Sequence, residues 1–128
     1  MNHPNSAYLQ TLAVLAGGII RKNFKLGMAK EWKKDETPLT ATDTEINDLV
    51  LFSFRRDFPH VHVISEEGNR NVDGSEYTVY CDPVDGTIPF CMGIPVSAFC
   101  ISVVKDHLPL AAVIYDPFND RMWHATRG

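Results

Sequence analysis

Residues 79–90 read VYCDPVDGTIPF. An apolar, β-prone run, YTVYC (77–81), meets two aspartates three positions apart, a proline between them, and then Gly-Thr. Pro83 fixes its own φ and biases the residue before it away from helix, so the sequence predicts that Asp82 ends a strand and that a rigid turn follows. Asp82 and Asp85 then share the space beyond the strand end. Two carboxylates held there repel, and in a dry site one takes up a proton unless a cation lies between them. Mg²⁺ would resolve the conflict, because it prefers carboxylate, carbonyl and water oxygens, and the carbonyl of Val84 is within reach of such an ion. Gly86 and Thr87 supply a tight turn, free N–H groups and a hydroxyl, and a short helix starting there would favour an anion such as phosphate. The same five residues, D-P-x-D-G, also suit a surface β-turn closed by Asx hydrogen bonds, and taken alone they leave both readings open.

Upstream, VHVIS (61–65) is a second short strand, followed by Glu66-Glu67-Gly68. If it neighbours 77–81 in a sheet, Glu66 comes beside Asp82 and three or four carboxylates surround one or two ions. Downstream, VSAFCISVV (96–104), LPLAAVIY (108–115) and RMWHA (121–125) read as three further strands. Lys105-Asp106-His107 and DPFND (116–120) are the turns between them, which predicts an antiparallel meander.

The first part of the chain is helical. Leu9, Leu12, Ala13, Ala16, Ile19, Ile20 and Phe24 recur at the spacing of an amphipathic helix, with Asn5 or Ser6 as its cap. The run TDTEINDLVLFSFRRDF predicts a second helix opened by a Thr42-x-x-Glu45 capping box. Between them KLGMAKEWKKDETPLTA, punctuated by Gly27 and Pro38, predicts a loop or irregular hairpin. The fold class is therefore α+β, with two helices packed on one face of a mostly antiparallel sheet.

Composition narrows the function classes. The chain has 128 residues, 45% of them hydrophobic and 22% charged, and a net charge of −4. These values fit one globular domain with no basic stripe for nucleic acid. Cys81, Cys91 and Cys100 lack zinc or redox spacing and read as buried thiols of a reducing compartment. No basic segment precedes the apolar N-terminal part, which Thr11 and Gly17-Gly18 interrupt, so neither a signal peptide nor a membrane span is expected and the cytoplasm is the default. His60, His62, His107 and His124 show no metal-ligand spacing, Trp32 and Trp123 read as packing residues, and Lys33 and Asp35 as part of a solvated charged loop.

Four segments together, TPLTATD (37–43), VISEEG (63–68), DPVDGTIPFCMGIP (82–95) and AAVIYDPFNDRMWHATRG (111–128), resemble the inositol monophosphatase family of Mg²⁺-dependent, lithium-sensitive phosphatases. The resemblance implies the N-terminal half of a layered α/β sugar-phosphatase fold, with residues 1–128 as its metal- and phosphate-binding domain. It implies Glu66, Asp82 and the Val84 carbonyl as ligands of a first Mg²⁺, Asp82 and Asp85 of a second, and Glu66 of a weaker third. Glu66 and Thr87 would activate the attacking water, with Asp43 orienting them and Glu67 in the outer shell. Gly86 and Thr87 would hold phosphate for in-line attack by metal-bound water. Expected substrates are inositol monophosphate or a similar polyol phosphate; a bisphosphate nucleotide or histidinol phosphate is the alternative. A homodimer is the family's common assembly.

Two departures from the family pattern stand out. Its members run to about twice this length, and their C-terminal half supplies a further aspartate in a W-D-x-A-type motif that is not found after Asp85. The resemblance therefore implies a truncated chain with an incomplete second metal site, whose alternative reading is a non-catalytic metal-binding fragment. Pro89 stands where an asparagine is frequent, which implies either a changed helix start or a divergent subgroup of the family.

Overall fold

The computed structural model describes residues 3–26 and 38–128, and for residues 38–40 the backbone alone. The loop predicted between the helices, with Gly27, Trp32, Lys33 and Asp35, lies outside the described residues.

Helix α1 spans Ser6–Asn23, capped by Asn5, whose side chain accepts the Tyr8 N–H at 2.9 Å. Its buried stripe is Leu9, Leu12, Ala13, Ala16, Gly17 and Ile20. Helix α2 spans Pro38–Asp57 and starts four residues before the predicted capping box. Proline suits a first helical turn because its missing N–H has no intrahelical partner there. Thr42 is consequently inside the helix and fully buried, and its hydroxyl accepts a hydrogen bond from the Asn23 side chain of α1 at 3.2 Å.

Five strands follow: β1 (His62–Ser65), β2 (Tyr77–Asp85), β3 (Ala98–Lys105), β4 (Leu108–Asp116) and β5 (Arg121–Thr126), in the spatial order β1-β2-β3-β4-β5. A third helix, α3 (Thr87–Cys91), starts where the sequence allowed a short one after Gly86; it is one turn long and joins β2 to β3. The sheet is mixed. β1 runs parallel to β2 and every other neighbour is antiparallel, so the meander read from the last three strands extends back to β2.

β2 does not stop at Asp82 as expected. It continues to Asp85, with a register shift between Asp82 and Asp85 that accommodates Pro83. A proline removes one ladder donor, and such an irregularity is where a strand tolerates it. Both tight turns are as read: Asp106 and His107 have φ of 49° and 66°, and Asp116 Oδ1 accepts the N–H groups of Phe118 and Asn119 at 3.0 and 3.3 Å.

Both long helices lie on one face of the sheet, α1 against β3 and β4 and α2 against β2. The core between them is built from Ile46, Val50 and Phe54 of α2 and the inward residues Val63, Val79, Phe99, Ile101, Val103, Val113 and Tyr115. Arg21 Nη1 donates to the Pro117 carbonyl at 3.0 Å and ties the end of α1 to the last turn. No helix among the described residues is long and apolar enough to cross a membrane.

Candidate functional site at the end of the β1–β2 pair

The parallel register of β1 and β2 sets Ser65 beside Cys81. The next residue on each strand is then Glu66 and Asp82, so the predicted juxtaposition follows from the pairing. Asp82 in turn lies across from Cys100 on β3, while Asp85, beyond the register shift, lies across from Ala98. Asp82 is half-buried and Asp85 exposed, and because their partners Cys100 and Ala98 stand two residues apart on β3, the shift turns both carboxylates to the same face of the sheet. Glu66 and Asp82 line one groove with Tyr80, Cys100 and Ile114; Asp85 and Gly86 line a second hollow with Ser97, Asp116 and Asn119.

Electrostatics also link the acidic residues. Asp82 is pushed up to about 6, first by burial and then by the charges of Glu66 and Asp85, against which its hydrogen bond with the Val84 backbone pulls. Asp43, on α2 and almost fully buried, is pushed up to about 7 by burial and by Glu67, Asp82 and Glu66. One oxygen of Asp82, Oδ1, is buried without a hydrogen-bond partner. An orphaned, half-buried carboxylate oxygen among like charges is an unpaid cost unless a cation or water meets it.

The turn after Asp85 is built tightly. Gly86 caps α3 with φ of 89°, a left-handed conformation, and a Cβ there would stand 2.9 Å from the Val96 carbonyl oxygen. Its own carbonyl accepts the Ser97 hydroxyl at 2.9 Å and the Phe90 N–H at 3.1 Å. The first N–H groups of α3 have no intrahelical acceptor, which also explains why Pro89, inside that first turn, leaves the helix starting at Thr87.

Of the five carboxylates that the sequence singled out, Asp82 thus feels the charges of Glu66, Asp85 and Glu67, and Asp43 those of Glu67, Asp82 and Glu66. Among the described residues, however, no three metal-ligating side chains converge closely enough to enclose an ion in their present rotamers. As a donor set they are hard oxygens, and the orphaned Asp82 Oδ1 fits a hard cation such as Mg²⁺. Two residues escaped the sequence reading. Asn47, one helical turn beyond Asp43, is buried with Oδ1 unpartnered, and its amide nitrogen is 3.4 Å from where a Gly68 Cβ would be. The i, i+4 spacing from Asp43 was its available signal. Cys100 was read only as a core thiol, yet it borders Asp82 across the strand pair, and burial with the charges of Asp85 and Asp82 pushes its thiol up to about 11.

An α+β layer that gathers acidic side chains at a sheet end, beside a glycine-capped turn, defines the class of metal-assisted phosphoryl-group enzymes as the one to compare. The comparison is decisive at the level of family: the model of the inositol monophosphatase family matches residues 2–128, and the chain belongs to that family. It is similar to a histidinol-phosphatase of Mycobacterium tuberculosis, 34% identical over all of this chain and 50% of that protein. A fructose-1,6-bisphosphatase/inositol-1-monophosphatase of Aquifex aeolicus is 30% identical over 91% of this chain and 46% of its own length. Inositol monophosphatase-II from Staphylococcus aureus MSSA476 superposes with a TM-score of 0.79 at 27% identity, over 95% of this chain and 45% of that one. The chain spans about half the length of the curated relatives it matches.

Proposed function

We propose that residues 1–128 form the metal- and phosphate-binding half of a Mg²⁺-dependent phosphomonoesterase acting on inositol monophosphate or a similar small polyol phosphate. The observation that carries the reading is the orphaned Asp82 Oδ1 held among Glu66, Asp85 and Asp43, next to the glycine-capped turn at Gly86. Asp82, Glu66, Asp85 and the Val84 carbonyl would hold Mg²⁺, which when bound neutralises their mutual repulsion and polarises the phosphate ester. Gly86 and Thr87 would present N–H groups and a hydroxyl to the phosphate oxygens. Glu66 and Thr87 would orient the attacking water, and Asp43, almost fully buried and acted on by the charges of Glu66 and Asp82, would assist that orientation. Glu67 contributes negative charge around Asp43 rather than a ligand. A histidinol phosphate substrate is the second reading, supported by the M. tuberculosis relative that aligns with the whole chain.

The test is phosphate release from inositol 1-phosphate, histidinol phosphate and a nucleotide bisphosphate by the purified chain, with Mg²⁺, with Mg²⁺ plus lithium, and with a chelator. Mg²⁺-dependent release that lithium suppresses and Asp82→Ala abolishes is the expected result. Calorimetric Mg²⁺ binding by a folded chain without turnover would limit the chain to a binding role, and absence of both would overturn the proposal.

A further inference from the structure

Three buried side-chain oxygens among the described residues have no hydrogen-bond partner: Asn47 Oδ1, Ser65 Oγ and Asp82 Oδ1. All three belong to one corner, where α2 packs against the end of the β1–β2 pair. The proposed function uses Asp82 Oδ1 as a cation ligand and leaves the other two without a role. Asn47 and Ser65 are 4 and 8% exposed, so bulk water does not satisfy them. A buried polar group without a partner opposes folding, and native structures keep few of them.

The turn after β1 explains why the protein itself offers neither atom a partner. The Gly68 N–H donates to the Ser65 carbonyl at 3.4 Å, and the Ser65 N–H donates to Asn69 Oδ1 at 3.0 Å. The backbone of the turn is thus closed without using the Ser65 hydroxyl. Asn47 faces the same turn from α2: its amide nitrogen stands 3.4 Å from where a Cβ on Gly68 would be. One helical turn back, Asp43 feels the charges of Glu67 and Glu66, so this stretch of α2 looks onto the two glutamates. Asn47 Oδ1 only accepts hydrogen bonds, and ionised carboxylates only accept as well. What satisfies this corner is therefore a hydrogen-bond donor.

We propose that Asn47 and Ser65 are positioning residues for the cation-binding end of the molecule, their Oδ1 and Oγ accepting hydrogen bonds from water carried by a hard divalent cation at Glu66 and Asp82. Mg²⁺ keeps several of its waters when protein carboxylates bind it, and groups that hold the surroundings of a metal change its affinity by about ten- to a hundredfold. Both side chains are neutral, so they order water without adding to the repulsion among Glu66, Glu67, Asp82 and Asp43. The same two oxygens oppose folding in chelator and favour the cation when it binds, which gives them opposite effects on stability and on affinity. The proposal rests on the Mg²⁺ reading of the site and adds one residue of α2 and one of β1 to it.

The test is calorimetric Mg²⁺ titration and thermal melting in chelator of the chain, Asn47→Leu, Asn47→Asp and Ser65→Ala. Leucine has nearly the shape of asparagine without its polar atoms. Asn47→Leu should weaken Mg²⁺ binding about tenfold or more, while its melting temperature in chelator stays unchanged or rises by up to about 3–6 °C. Ser65→Ala should act in the same two senses, less strongly. Asn47→Asp keeps an acceptor oxygen in place and should retain binding, while its buried charge lowers the melting temperature. A lower melting temperature in Asn47→Leu would overturn the proposal by making Asn47 part of the fold's own packing. So would Mg²⁺ binding by Asn47→Leu and Ser65→Ala as tight as that of the unaltered chain, or loss of binding in Asn47→Asp. An unaltered chain that binds no Mg²⁺ overturns the proposed function and this inference with it, a result distinct from variants that bind as well as the unaltered chain does.

Discussion

Asp43 and Asp82 are the residues at which sequence, environment and chemistry meet. Their native pKa values of about 7 and 6 lie above the ordinary 3.8 of an aspartate. In the unfolded chain both lose their protons near pH 4, while the native fold still holds them; stability therefore falls as pH rises from about 4 through 7. In chelator the melting temperature should be higher at pH 5 than at pH 7.5, by about 3–6 °C, the shift that ~1 kcal/mol makes in a domain of this size. Asp43→Asn should flatten that dependence and raise the melting temperature at pH 7.5, since it removes a buried like charge. A profile that rises with pH would show that the carboxylates are paired rather than frustrated. Gly86 is the matching backbone case. Gly86→Ala meets both a positive φ and the Val96 carbonyl and should cost about 1–3 kcal/mol in urea unfolding.

Among the elements, the contact of α1 with β4 makes the sharpest claim, because two adjacent glycines divide it. A Cβ on Gly17 would lie 2.4 Å from Tyr115 Cε2, whereas one on Gly18 meets nothing within 4 Å. Helix propensity favours alanine at either position by about 1 kcal/mol. Gly18→Ala should therefore stabilise by up to roughly that amount, and Gly17→Ala should destabilise by ~1–3 kcal/mol as the helix is wedged off the sheet. Chemical denaturation of the two variants side by side checks both signs. The same scale shows what the sequence could carry. The strands, both tight turns and the α1 stripe were legible because alternation, turn chemistry and helical periodicity are local signals. The start of α2 was not: Thr42-x-x-Glu45 has the composition of a capping box, but Thr42 is spent on a buried hydrogen bond to Asn23 that only tertiary packing creates. Nor was the passage of β2 through Pro83, because a register shift depends on the partner strand. The candidate site divides in the same way. Residue types and spacing pointed to Glu66, Asp82, Asp85 and Gly86, but the burial of Asp43 and Asn47 and the position of Cys100 follow from how α2 and β3 pack.

At the scale of the whole molecule, the connectivity separates the acidic residues by how their strands come together. β3, β4 and β5 are joined by turns of a few residues, and their hairpins close over short loops. β1 is a four-residue strand whose strand partner among the described residues, β2, is parallel and reached through the link 66–76, and it carries Glu66 at its tip. Parallel pairing across a longer link yields its contacts only after the closure entropy has been spent, so β1 should dock late in folding. Contacts absent from the transition state govern how fast a protein comes apart, not how fast it assembles. Mg²⁺ bound between Glu66 and Asp82 should accordingly lower the unfolding rate while leaving the refolding rate nearly unchanged, and stopped-flow measurements with and without the ion would reveal this. The short strand would then act as a kinetic latch: the cation would set how long the folded molecule lasts, and hairpin closure how soon it forms.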